Sequence, residues 1–209
     1  GVNVSTFIDV SAETFSGGID FTNPNYNYSG NMLRFYAQNT TTDKKDSGYK
    51  NNIITTGIGT KFEQYRNIYV APAIALSYDD LTVQSSSSES LKKQKGTFTD
   101  LSLDYTVSLD NRDRAYAPTD GYVSSFSQVI PVYADAPFIK NTYAFNQYKS
   151  FTKDAIGSFK FFTTAINGLS DKDVRLSKRV RLGSSRLRGF EAGKIGPKDG
   201  KDYIGGNYA

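Results

Sequence analysis

The chain has 209 residues, 38% of them apolar, a formal net charge of +4, and neither cysteine nor histidine. Thiolate or imidazole metal sites, disulfide staples and every nucleophilic mechanism that needs a histidine base are thereby excluded. No stretch approaches the ~18 apolar residues of a membrane helix, and the mild positive charge implies only solubility and some attraction to anions.

Strand signals then run from end to end. The opening "VNVSTFIDV" is followed by "FSGGIDFTN", "GNMLRFYAQ" and "NNIITTGIGTKF". In "NIYVAPAIALSY", Ile68, Val70, Pro72, Ile74, Leu76 and Tyr78 share one face, opposite Tyr69, three alanines and Ser77. "DLSLDYTVSLD" alternates most cleanly, with Leu101, Leu103, Tyr105, Val107 and Leu109 on one face and Ser102, Asp104, Thr106, Ser108 and Asp110 on the other. "YVSSFSQVIPVY", "NTYAFNQYKSF" and "AIGSFKFFTTAING" complete about nine strands, each near the ~9 to 11 residues with which a tilted strand crosses a bilayer. No window joins helical spacing to a cap and a stop signal, so the fold class is all-β and antiparallel.

Two all-β readings compete. Strands of soluble sandwiches average ~5 to 6 residues and share a dry core. These are longer, and their second faces carry Asp, Lys, Asn, Gln and Ser, which suits either solvent or the wet lumen of a transmembrane β-barrel. Aromatic residues near strand ends, at Phe21, Tyr26, Tyr28, Phe62, Tyr65, Tyr69, Tyr78, Tyr116 and Tyr122, favour the barrel, whose interfacial girdles lie there. Connections support it as well. "EQYR" and "YAPTDG" read as tight, "NTTTDKKDSGYK" and "TVQSSSSESLKKQKG" as long polar loops, the alternation of an outer-membrane barrel. No domain boundary or longer repeat is visible.

Three segments bear on function. Residues 174–190 hold Arg175, Lys178, Arg179, Arg181, Arg186 and Arg188 without an acidic residue. The interleaved Leu176, Val180, Leu182 and Leu187, and the lack of an aromatic stacking platform, argue against a nucleic-acid arm. The Gly-rich stretch that follows demands tight turns, and an Arg beside Gly and Phe can send a guanidinium into a polar lumen to meet a carboxylate while the Phe packs beside it. In "APTDG", Pro118 presets φ, Asp120 can bond the local backbone and Gly121 takes positive φ, while Asp113 is placed to cap or to pair with its neighbouring arginines. Asp79 and Asp80 are adjacent on a strand and so point to opposite faces, which excludes a catalytic carboxylate pair and places them at a strand end or rim.

"RLGSSRLRGFEAGKIGPKDGKDYIGGN" resembles the sixth extracellular loop of the BamA family, the barrels that assemble outer-membrane proteins, through Arg188-Gly189-Phe190, Gly196-Pro197 and Gly205-Gly206-Asn207. "DNRDRAYAPTDGYVSSFSQVIP", with Asp113, Pro118, Thr119 and Gly121, and "IDFTNPNYNYSGNMLRFYA" resemble two further family segments in the same order. The resemblance implies residues 1–209 of a 16-stranded barrel, an excerpt without the periplasmic POTRA domains that covers about nine strands, the signature loop and the start of the next strand. It implies folding and insertion of β-barrel proteins in the outer membrane of a Gram-negative bacterium, with nascent outer-membrane proteins, periplasmic lipoproteins and the bilayer as partners. It implies neither an enzyme nor a cofactor or metal. Arg188 is expected to meet carboxylates on strands beyond Ala209. Two-partner secretion transporters of the FhaC kind and TamA-like translocation barrels are the related alternatives. A passive porin and a soluble β-sheet binding module are the readings from other classes.

Overall fold

A computed structural model describes residues 1–11, 13–44, 48–182, 186, 189–190, 194–200 and 202–209. Nine antiparallel strands form one sheet in sequence order: β1 Asn3–Val10, β2 Thr14–Asn23, β3 Met32–Lys44, β4 Tyr49–Tyr65, β5 Ile68–Val83, β6 Gly96–Asp110, β7 Gly121–Ala134, β8 Phe138–Ser150 and β9 Ile156–Gly168. The meander is the expected one. Residues 207–209 begin a further strand beside β9, where Ile166 N donates to Asn207 O and Thr164 N to Ala209 O, both at 2.8 Å.

Register keeps each face uniform across the sheet, because side chains alternate with a period of two. Val4, Phe21, Phe35, Ile58, Ile74, Leu103 and Ile130 form one rung running from β1 to β7. Ile74 in its middle is 52% exposed, as a lipid-facing residue is in the absence of lipid. One residue along, Asp20, Tyr36, Gly57, Ala75, Ser102 and Pro131 form a rung on the opposite, polar face. Polarity is thus inverted relative to a water-soluble sheet.

Connections fall on two rims. Residues 24–31, 66–67, 111–120 and 151–155 lie at the turn rim, and, among the described residues, 11, 13, 48, 84–95, 135–137, 169–182 and 202–206 at the loop rim. "NTTTDKKDSGYK" is not a long loop. β3 and β4 extend through most of it, pairing Thr40 with Ile53, Thr41 with Asn52 and Thr42 with Asn51. Its threonines are β-branched and suit a strand although the segment reads as polar. The seven strands β3 to β9 are 13 to 17 residues long, so β3 to β6 rise past bilayer thickness at the loop rim. The serine-rich loop holds one helical turn, α1 (Glu89–Lys92), whose N-cap Ser88 accepts from Leu91 N. Alternation analysis had no means of finding so short a helix.

An apolar cluster is buried at this raised rim. Tyr49, Leu81, Leu91 and Leu176 form a cluster, with Val83 and Ile204 packed against it. Four of these six residues come from β4, β5 and α1, and the other two come from the segment 169–206.

Candidate functional site: the inward loop

β9 ends at Gly168, where a Cβ would lie 1.9 Å from Lys172 O, so only glycine lets the chain fold back on itself there. Ser170 and Asp171 follow, both with φ of 57°. The limb then runs along the loop rim. Leu169 N donates to Pro137 O at 2.9 Å, and Lys172 Nζ to Asp135 O at 2.6 Å.

Val174, Arg175 and Leu176 are buried on the polar face of the sheet. The Arg175 guanidinium is in contact with Asp100 of β6, lies 3.6 Å from the Asp79 carboxylate of β5, and stacks 4.5 Å from the centre of the Phe98 ring. Ser177 Oγ donates to Asp79, and Lys178 Nζ reaches Ser77 at 3.3 Å and Asp100 at 3.5 Å. Two carboxylates thus face two cations. Burial pushes the Lys178 ammonium down from its ordinary pKa, against the raising influence of Asp100 and Asp79. Leu176 N donates to Gln94 Oε1 at 2.7 Å, and its side chain completes the apolar cluster.

β7 carries a bulge beside Asp100. Between Leu101 and Ser102 the pairing with β7 slips by one residue, which leaves Val132 as an extra residue beside Pro131. Proline has no N–H to give the ladder, and a bulge is where a sheet tolerates it. Below the docked limb lies a cavity of about 490 Å³, lined by Tyr36, Ala75, Ser102, Asp104, Lys140 and Lys178 among others.

Beyond Lys178 the loop closes on itself. Val180 and Gly206 exchange two backbone hydrogen bonds, of 2.8 and 2.9 Å, and make a neck through which the chain leaves and returns. Arg179 pairs with Asp173 at 2.7 Å, and Arg181 donates to Tyr49 Oη at 2.9 Å. Arg186 sits 3.3 Å from the centre of the Phe162 ring. Arg175, Lys178, Arg179, Arg181 and Arg186 of the basic run therefore each have a partner.

The predicted loop residues divide at the neck. Gly205 is buried with φ of 74°, and a Cβ there would stand 3.0 Å from Val180 O. Gly206 forms the neck itself, Asn207 O holds Ile166 N, and Pro197 O accepts from Ile204 N at 3.0 Å. Gly189 and Gly196 have φ of 87° and 115°. Phe190 is 59% exposed. Arg188 lies outside the described residues.

One arginine of this loop, Arg175, meets inner-wall carboxylates, and both of its partners lie within the chain. Asp79 and Asp80 do point to opposite faces, yet Asp79 is 1% exposed under the loop rather than at a solvent rim. A signal for this was present in the sequence. Asp79 stands across from Ile53 and Phe98, and Asp100 from Ser77 and Ala134, so two carboxylates share a face with no cation opposite either.

The turn motif sits at the other rim. Asp113 accepts from Thr119 N at 3.0 Å, Thr119 Oγ1 at 2.6 Å and Asp120 N at 3.2 Å, while Arg114 stays 3.6 Å away. The Thr119 hydroxyl and the two backbone N–H groups lower its pKa to about 2. Gly121 has φ of 92°, and a Cβ there would lie 2.1 Å from Asn111 O. Pro118 precedes this clasp as expected. Asp120 accepts from Gly121 N and Lys149 Nζ, both at 2.7 Å, so the expected local bond exists alongside a bridge to β8. Among the described residues, no group of three or more His, Cys, Asp or Glu could hold a metal ion.

In fold, the sheet and its loop superpose on BamA of Haemophilus ducreyi, in a crystal structure lacking POTRA domains 1–3, with a TM-score of 0.84. That likeness covers all of this chain and 46% of the other, at 18% identity. A SAM50-like protein of Schizosaccharomyces pombe is 35% identical over 132 residues, 57% of this chain and 26% of the yeast protein. The chain thus spans about a quarter of that relative and under half of the structural one. The Omp85 superfamily domain matches residues 1–209. Matched from end to end, and folded as an outer-membrane barrel sheet with its long loop turned inward, the chain belongs to the Omp85 superfamily.

Proposed function

We propose that this sheet is the central part of an outer-membrane barrel that folds and inserts other β-barrel proteins, without bond-making chemistry of its own. Its partners on this reading are nascent barrel chains and the bilayer. The observation that carries it is the loop, docked on the inner wall through Arg175, Asp79 and Asp100. A barrel that opens beside client strands needs its interior held in register as its edges exchange partners, and such an anchor supplies that. End-to-end membership of the Omp85 superfamily and relatives of the BamA and SAM50 kinds support it.

The sequence relative is a yeast protein at 35% identity and the structural one bacterial at 18%, so the Gram-negative setting expected from sequence has a rival in an organelle outer membrane. The periplasmic lipoproteins implied by the resemblance belong to the bacterial setting. Reconstitution of the complete barrel protein in liposomes tests the function. Faster insertion of an unfolded client barrel is expected, and steady ion conductance with no effect on client folding would leave the porin reading in its place.

A further inference from the structure

The limb from Gly168 to Arg181 crosses the polar face of the sheet from β9 to β4. It continues β9, bonds the β7–β8 connection through Leu169 and Lys172, grips β6 at Asp100 and β5 at Asp79, and reaches β4 through Arg181 and Tyr49. From β9 to β5 that is four inter-strand spacings, roughly 19 Å of sheet at ~4.8 Å each. A cluster of apolar side chains would hold such a limb yet let it slide. A guanidinium between two carboxylates on different strands, with an aromatic ring beneath it, fixes direction as well as place.

The grip is transmitted without slack. Lys178 N and Arg179 N donate to Arg175 O at 2.9 and 3.1 Å, so one helical turn joins Arg175 to the Val180–Gly206 neck. On the far side of the neck, Asn207 and Ala209 pair with β9. The segment that carries the signature therefore leaves and returns through a base pinned at both ends.

We propose that Arg175 is a positioning residue: clamped by Asp79 and Asp100, it sets where the neck lies and so aims the signature segment, separately from anything Arg188 contacts. Buried ion pairs contribute little net stability compared with apolar replacements of similar volume. That balance fits a charge cluster kept for position rather than for stability. The proposal rests on the assembly reading for its activity arm alone.

Spin labels at Lys198→Cys and Gln84→Cys, in the complete barrel with any cysteine outside residues 1–209 replaced, report one loop-to-wall distance. The parent is expected to give a narrow distance distribution. Arg175→Met broadens it and slows client insertion by about tenfold, the scale of a typical coupling between sites. A second variant, Arg175→Met with Asp79→Asn, removes one buried charge of each sign and leaves Lys178 paired with Asp100, so its heat-modifiable gel migration returns to the parental midpoint. With the fold restored, the distance stays broad and insertion stays slow if Arg175 positions the loop. A narrow distance in that double variant overturns the proposal, whatever the activity. A parent that inserts no clients sinks the assembly reading instead, and the distance measurement still decides the role of Arg175.

Discussion

At Asp79 and Asp80, one step along β5 separates a carboxylate buried against Arg175 from one on the opposite face. Alternation gives the two faces, but not what lies over each. Asp79→Ala leaves Arg175 and Lys178 short of a counter-charge and is expected to cost about 3 kcal/mol, where Asp80→Ala changes stability by less than about 0.5 kcal/mol. Unfolding of the closed barrel in detergent, followed by gel migration, measures both. Equal effects would mean that the loop does not dock there. Asp113 differs in that its partners are local, which is why the sequence placed it correctly. Its carboxyl pKa falls to about 2 in the folded turn, from an ordinary 3.8. A depressed carboxyl stabilises above its unfolded value and loses that contribution as pH falls toward the folded one, so the window is about pH 4 down to about pH 2. Carboxyl chemical shifts should give a midpoint near 2, and one near 3.8 would show the clasp absent.

At the scale of elements, strands were legible and their lengths were not. Period-two alternation marks where a strand exists, because each face meets a different medium. It fades in Thr40 to Thr42 and Asn51 to Asn52, where both faces are polar, although the ladder continues there. Backbone pairing does not need amphipathicity, so polar strand ends read as loops. The loop limb depends on a different constraint. Gly168→Ala sets a Cβ against Lys172 O, a backbone atom that cannot swing aside, and should cost about 1–3 kcal/mol while freeing the limb. Faster proteolysis of residues 169–206 with β9 intact by amide exchange is the expected signature. Protection equal to the parent would show that the turn adapts.

For the whole molecule, the inverted polarity of the sheet decides its surroundings. Ile74 and Leu103 belong to the outward rung, and Thr106, bonded to Ser127 at 2.7 Å, lies on the lumen face. Ile74→Arg should destabilise the barrel in lipid by about 2–4 kcal/mol, as a cation near the bilayer midplane does, while Thr106→Arg costs well under half of that. Reversible unfolding from liposomes compares them, and a reversed order would place lipid on the wrong side.

By itself, the sequence determined the all-β class, the number of strands, the face each residue takes and the geometry of the "APTDG" clasp. Each of these is set by neighbours a few positions away, through strand alternation, turn chemistry and glycine φ. That Arg175 of the basic run meets the wall was decided only by tertiary structure. Arg175 lies 75 positions from Asp100, and nothing local marks it out. The choice rests on where a raised rim of long strands, a helical turn and a tight fold-back at Gly168 bring a charge within reach of two carboxylates already turned away from lipid.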